Sequence, residues 1–376
     1  PSNFMLFNHS LTLQNHTQPA LFFQDPTQGG KALCRVFNGI NWPYLGQRGF
    51  ANNQVSNIKA KSDYLGNVFA LMHTTYTYSK PYYGSYERTE LKKFDGVNWL
   101  PVGDSAYSLG NGATSDLAID TNGIPWVASD PSLIRVSKLN STTNNTWVDV
   151  NSIDLESAWV EDVNIEISTL NTPFVCYHRK FSDSIQVKKY VNNAWVRAGT
   201  SFLPEWGQFI KMVLDGENPV ISFYNNAGMR VYKLISNTWV LQGNSAIYLP
   251  YSNYAYDLGV FNGEVYIAYP EFANVSVKKF NGSQWSYVGG QGITYNSASK
   301  PRMEFDDLGN LYVLFNQFPG YLKVKMFDGT NWNLVGTGDF SESRTDDYDI
   351  ATFGNGTVAV VFNAGGAFAK AVGPSV

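Results

Sequence analysis

The sequence predicts an all-β fold, a single β-propeller of eight four-stranded blades spanning residues 1–376, and three observations predict it. A tryptophan-centred unit recurs along the chain, each unit reads as four short strands, and no segment sustains helical periodicity. The unit appears as FNGINWPYLG from Phe37, FDGVNWLPVG from Phe94, VNNAWVRAG from Val191, ISNTWVLQG from Ile235, FNGSQWSYVG from Phe280 and FDGTNWNLVG from Phe327, with a degenerate NNTWVDV from Asn144. Its tryptophans, Trp42, Trp99, Trp147, Trp195, Trp239, Trp285 and Trp332, lie 57, 48, 48, 44, 46 and 47 residues apart, a spacing that belongs to propeller blades.

Within a unit, strand A alternates, strand B is a short apolar run, strand C alternates again and strand D begins at the tryptophan. The C–D link is Asn-Gly or Asp-Gly at Asn38-Gly39, Asp95-Gly96, Asn281-Gly282 and Asp328-Gly329, which supplies the positive φ of a tight hairpin. Apolar pairs of strand A start at Leu11, Ile58, Leu117, Ile165, Ile210, Leu258, Met303 and Ile350, eight starts against seven tryptophans. Seven blades is therefore the alternative. The last copy, from Tyr348, ends after its third strand, leaving an incomplete blade whose edge can pair with another strand.

The [FY]-[ND]-G-x-x-W-x-x-[VL]-G unit resembles the repeats of secreted bacterial β-propellers and, more loosely, kelch-type propellers and the Asp-box repeats of sialidase-like propellers. The kelch double glycine and the Asp-box spacing are both absent, so the resemblance implies architecture and leaves activity open. The repeated tryptophans are expected to pack between blades and the glycines after them to serve turns. Function is expected where the copies differ.

Counted from the apolar pairs, the inward positions of strand A form two rings. The first is Ser10, Asn57, Asp116, Asn164, Phe209, Asp257, Arg302 and Asp349; the second includes Lys59, Glu166, Lys211 and Glu304, whose alternating signs read as an ion-pair network. Asp116, Asp257 and Asp349 are the candidate ligands for a hard cation such as Ca²⁺, and no other cofactor is expected. Strand B ends at Gln24, His73, Asp130, His178, Tyr224, Pro270, Asn316 and Asn363, with His73 and His178 read as equivalent. His73, His178, Arg179 and Tyr224 are the residue types a polysaccharide lyase needs: arginine to neutralise a uronate, histidine to take the α-proton, tyrosine to protonate the leaving oxygen.

Tyr76, Tyr78, Tyr82 and Tyr83 in the second B–C loop, with Tyr251 and Tyr254 in a later D–A connection, form an expected ligand-binding face together with Asp130, His178 and Tyr224. Tyrosines offer flat apolar faces and a hydroxyl, which suits sugars or a glycoprotein partner. Net charge of −4 without a basic stripe argues against nucleic acid, and no apolar run reaches membrane-spanning length. Two cysteines, Cys34 and Cys176, make no disulfide framework and read as separate buried thiols. The chain begins at Pro1, which reads as a processed start. Sequons at Asn8, Asn15, Asn140, Asn144, Asn274, Asn281 and Asn355, where about five would arise by chance, fit an extracellular or cell-surface glycoprotein. The expectation is thus a non-enzymatic module recognising carbohydrate or glycoprotein. The alternatives are a filament or surface-layer subunit that self-associates through the open blade, and the lyase.

Overall fold

The computed structural model describes residues 9–78, 84–104, 109, 114–129, 134–141, 145–150, 160–179, 184–201, 203, 205–243, 247, 255–295, 297–336, 338–341, 344–345, 348–353, 356–363 and 367–372. It is an eight-bladed β-propeller in which each blade is an antiparallel meander of consecutive strands. The chain divides into two compact units, residues 1–182 with 188–196 and residues 183–187 with 197–376.

Blade 1 is β1 (His9–Gln14), β2 (Gln18–Asp25) and β3 (Lys31–Val36). Blade 2 is β4 (Val55–Ser62), β5 (Val68–Tyr78), β6 (Gly84–Phe94) and β7 (Trp99–Pro101), and blade 3 is β8 (Ser115–Ile119), β9 (Pro125–Ser129), β10 (Arg135–Leu139) and β11 (Trp147–Asp149). Blade 4 is β12 (Val160–Ile167), β13 (Pro173–Arg179), β14 (Ser184–Val191) and β15 (Ala194–Arg197). Blade 5 is β16 (Gln208–Asp215), β17 (Asn218–Asn225), β18 (Gly228–Ile235) and β19 (Thr238–Leu241), and blade 6 is β20 (Asp257–Phe261), β21 (Glu264–Glu271), β22 (Asn274–Phe280) and β23 (Trp285–Tyr287). Blade 7 is β24 (Ala298–Phe305), β25 (Leu311–Gln317), β26 (Tyr321–Phe327) and β27 (Trp332–Leu334), and blade 8 is β28 (Tyr348–Phe353), β29 (Thr357–Asn363) and β30 (Ala367–Val372).

The last blade has three strands, as its sequence implies. The first does too, against the expectation of four. Its outer segment makes a single bridge, Arg35 to Tyr44, because Pro43 after Trp42 has no N–H to extend the ladder. The hairpin chemistry holds: Asp95 Oδ1 accepts from the amides of Val97 (2.8 Å) and Asn98 (2.6 Å), and Gly96 adopts φ +104°.

Each second strand is buried on both faces, which is why it reads as an unbroken apolar run. In β5, Val68, Ala70 and Met72 join a cluster with Phe22, Cys34 and Ile58, while Phe69 and Leu71 join one with Leu117, Val127 and Trp147. Cys34 and Cys176 are separate, fully buried thiols, and burial raises the pKa of both.

Six of the repeat tryptophans latch their blades, 2 to 7, to the segment that follows the preceding blade's last strand. The indole Nε1–H groups of Trp99, Trp147 and Trp195 donate to the carbonyls of Leu45, Val102 and Val150, and those of Trp239, Trp285 and Trp332 to Ala198, Gln242 and Val288, all at 2.7–3.0 Å. Five of these carbonyls precede a glycine, and that glycine seats the incoming indole. A Cβ on Gly103 would lie 1.8 Å from Trp147, and one on Gly289 2.5 Å from Trp332. The glycine after the tryptophan strand thus serves close approach as well as its positive φ. Blade 8 has no tryptophan, and Val372 takes the place over Gly336.

Candidate functional site

The structure resets the register of two predicted rings. In β16 the pairing runs Gln208 to Tyr224, then Lys211 to Ser222, so Phe209 and Ile210 fall in a bulge and Met212, opposite Ile221, holds the register position of Ile165 and Met303. Equivalent bulges interrupt β12 and β24, and the bulge residues Asp162, Phe209 and Lys300 all have positive φ. Lys211 therefore replaces Phe209 in the first ring. The histidines are likewise not equivalent: His73 pairs with Asn57, whereas Asn164 pairs with Cys176 and His178 lies two residues further out, opposite Glu161. Thr75 is the counterpart of His178, because the β5–β6 hairpin is longer than those of the other blades.

Both histidines are buried, His73 at 3% exposure and His178 at 2%. His73 Nε2 lies 2.6 Å from Ser115 Oγ, and burial lowers its pKa. A lyase base has to reach a polysaccharide in solvent, so this placement gives His73 a packing role and takes away the geometric support for the lyase set. Arg179 and Tyr224 are half-buried at the ends of their strands. Asp130, Tyr82, Tyr83, Tyr251 and Tyr254 lie outside the described residues, as does the side chain of Tyr78. Tyr256, nearby in sequence, is 1% exposed, and its hydroxyl donates to the carbonyl of the bulge residue Phe209 (2.6 Å). Tyr348 caps the bulge at Lys300 in the same way (2.7 Å).

The acidic residues of the first ring are engaged by protein groups. Asp116 takes the Lys59 ammonium (2.9 Å) on one oxygen and the Ile165 amide (3.0 Å) on the other. Asp257 repeats this with Lys211 (2.6 Å) and the Met303 amide (2.8 Å). The lysines therefore pair with the neighbouring aspartate rather than across the second ring, and Glu166 pairs with Lys61 (3.5 Å). Asp349 Oδ1 accepts from the Ile350 amide. Among the described residues no group of three or more His, Cys, Asp or Glu is disposed to hold a metal.

What remains of the predicted tyrosine face is a ribbon in blade 2. Tyr76 of β5 and Tyr86 of β6 are register partners, and their rings stack 5.4 Å apart with planes 15° from parallel. The Arg88 guanidinium lies 5.3 and 5.4 Å from the two ring centroids. Tyr76 donates to Glu90 (2.5 Å), which also accepts from Thr74 (3.0 Å), so Tyr76 is fixed from below while Tyr86 is exposed. Burial and Glu90 together raise the Tyr76 hydroxyl pKa, so it stays a donor at neutral pH.

A second aromatic surface was not anticipated. Phe272 in the β21–β22 turn, Tyr295 before β24 and Phe318 in the β25–β26 turn are 66%, 78% and 71% exposed. Their links are tied to one another: the Ala298 amide donates to the Ala273 carbonyl (3.0 Å), the Phe318 amide to that of Ser297 (2.7 Å), and the Gln317 side-chain amide to that of Tyr295. Phe272 has φ +55°, a strained position for an aromatic residue, and the Lys325 ammonium lies 5.3 Å from the Tyr295 ring. The sequence signal was present, a lone aromatic in each of three adjacent links, but only the fold brings them side by side.

No protein-family model and no curated protein matches the chain. Among solved structures it is similar to the β-propeller domain of the Trilobed protease from Pyrococcus furiosus, a domain of open velcro topology, with 7% identity and TM-score 0.50 over 81% of this chain and 88% of that one. It is also similar to a putative 6-phosphogluconolactonase from Bacteroides fragilis, with 12% identity and TM-score 0.52 over 91% and 96%. Puromycin hydrolase matches at 8% identity and TM-score 0.55 over 96% of this chain, which covers 59% of that protein's length. At such identities the likeness shows the fold alone.

Proposed function

We propose that this protein is an extracellular, non-enzymatic recognition module that binds carbohydrate or glycoprotein through aromatic side chains on its B–C and D–A links. The observation that carries the reading is the exposed trio Phe272, Tyr295 and Phe318, ordered by backbone hydrogen bonds and including a strained φ. Exposed aromatics that the scaffold holds in place favour a partner that covers them. The Tyr76–Tyr86 stack with Arg88 offers the same chemistry in blade 2: flat faces for the apolar side of a sugar ring and a cation for a hydroxyl or carboxylate. Asn15, Asn140 and Asn281 are exposed sequons compatible with an exported chain; Asn274 is half-buried, and Asn8, Asn144 and Asn355 lie outside the described residues. A glycan and glycoprotein array tests this, with the double variant Tyr295→Ala/Phe318→Ser and the single variant Tyr86→Ala. Binding abolished by either supports the reading, and an array blank for the wild type defeats it.

A second reading rests on the three-stranded last sheet, in which β30 is the outermost strand. Such an edge can accept a strand from a neighbouring subunit, making a filament or surface layer. Electron micrographs of the purified protein with and without residues 1–7 decide it: polymers that depend on those residues support assembly, and monodisperse particles oppose it.

A further inference from the structure

Between blades 6 and 7 lies a half-open cavity of about 420 Å³, within the range of small-molecule sites. Its walls are aromatic: Tyr266, Phe305 and Phe327, with Phe305 edge-on to Tyr266 at 5.0 Å and stacked on Phe261 at 5.1 Å. Space is left because Gly289, Gly309 and Gly329 contribute no side chain, and Gly289 and Gly309 cannot acquire one without meeting Trp332 or Phe261.

Its polar groups are pre-set. Lys279 Nζ bonds both oxygens of Glu264 (2.9 and 3.1 Å), and the Tyr266 hydroxyl donates to Glu264 (2.8 Å). These bonds outweigh burial and hold the Glu264 carboxyl below its ordinary pKa, so it is a carboxylate at neutral pH. The two bonds to Glu264 leave one N–H of the Lys279 ammonium, which lines the cavity, for a ligand hydroxyl. Asp328 adds negative charge on the exposed rim, while its oxygens already accept from the amides of Thr330 and Asn331 and from Asn333.

We infer that this cavity is a binding site for a neutral pyranose, whose apolar face packs on Phe305 and Phe327 and whose hydroxyls meet the Lys279 ammonium that Glu264 holds in place. The lysine charge is already neutralised and the rim is acidic, so a uronate is disfavoured. The inference goes beyond the aromatic surfaces, since it needs none of their residues.

The test is titration calorimetry with the methyl glycosides of glucose, galactose, mannose and glucuronic acid. Saturable binding of a neutral glycoside is expected, weakened about tenfold or more by Lys279→Ala. Circular dichroism of that variant should be unchanged, since the side chain is half-exposed. Tyr295→Ala/Phe318→Ser should leave this binding intact, which separates failure of the cavity from failure of the loop surface. Absence of saturable binding by any neutral glycoside, an unaltered affinity in Lys279→Ala, or preference for the glucuronide overturns the inference.

Discussion

The outer seam and the inner strands of this protein solve the same problem, joining one blade to the next, by opposite means. At the outer seam one device is used six times: an indole N–H on the carbonyl of the preceding blade, with a glycine beneath the ring in five of the six. Along the inner strands the joints differ. Blades 3 and 6 use a lysine, an aspartate and a backbone amide in series, blades 6 and 8 use a tyrosine hydroxyl on a bulge carbonyl, and His73 meets Ser115 between blades 2 and 3. The same hydrogen bond recurs at all six of these seams and the same ring packing at five, so the uniform seam belongs to the repeated scaffold. The inner strands are where individual residues have been exchanged without losing it.

The largest effect that would sharpen this contrast is expected at a seam glycine. Gly103→Ala combines a positive φ with a Cβ placed against Trp147 and should cost about 3 kcal/mol or more. Gly216→Ala, at φ +57° with nothing within 4 Å, carries backbone strain alone and should cost about 1–2 kcal/mol. Chemical denaturation midpoints measure both, and equal losses would show that the glycines serve turns only. One step down, Trp239→Phe deletes the indole edge that lies over Gly199 and leaves the Ala198 carbonyl without its partner, for about 1–3 kcal/mol. Tyr256→Phe removes a single hydroxyl from the Phe209 bulge and should cost about as much or less. If the inner change proves the costlier, the division of labour is wrong.

Much of this was legible in advance because period and turn chemistry are local. The tryptophan spacing set the blade period, the eight apolar-pair starts of strand A set the blade count, and the Asn-Gly and Asp-Gly pairs set the hairpins. The inner register was not legible. A bulge adds a residue with no compositional mark: Asp162, Phe209 and Lys300 share only their positive φ, so an alignment of apolar pairs placed Ile210 where Met212 belongs. The site suffered most: β5 runs on to Tyr78, so His73, expected at a strand end, lies within the strand and is buried, and His178, two residues further out in its own blade, is buried too. Tyr256 shows the same limit from the other side. In sequence it is one more tyrosine of an aromatic link; in the fold its hydroxyl is consumed by the neighbouring blade.

The smallest predicted effect is a pH dependence that singles out one inner joint. His73 is buried and its pKa lies below the unfolded value of 6.5, so between those two values the unfolded chain binds a proton that the native ring resists. Its contribution to stability is full above pH 6.5 and falls as the pH drops through that value. Glu205 behaves differently. Burial pushes its carboxyl up, but hydrogen bonds from Arg230, Tyr232 and Asn225 outweigh this and hold it below 4.5, so its contribution persists until the pH falls past the carboxylate range. Unfolding midpoints followed from neutral to acid pH should therefore begin to decline near 6.5 and decline again below 4.5. His73→Gln should flatten the first decline while leaving the second in place. A first decline that survives the substitution would mean that the Ser115 joint is indifferent to charge, leaving the Trp147 seam and the Lys59–Asp116 pair to hold blade 2 against blade 3.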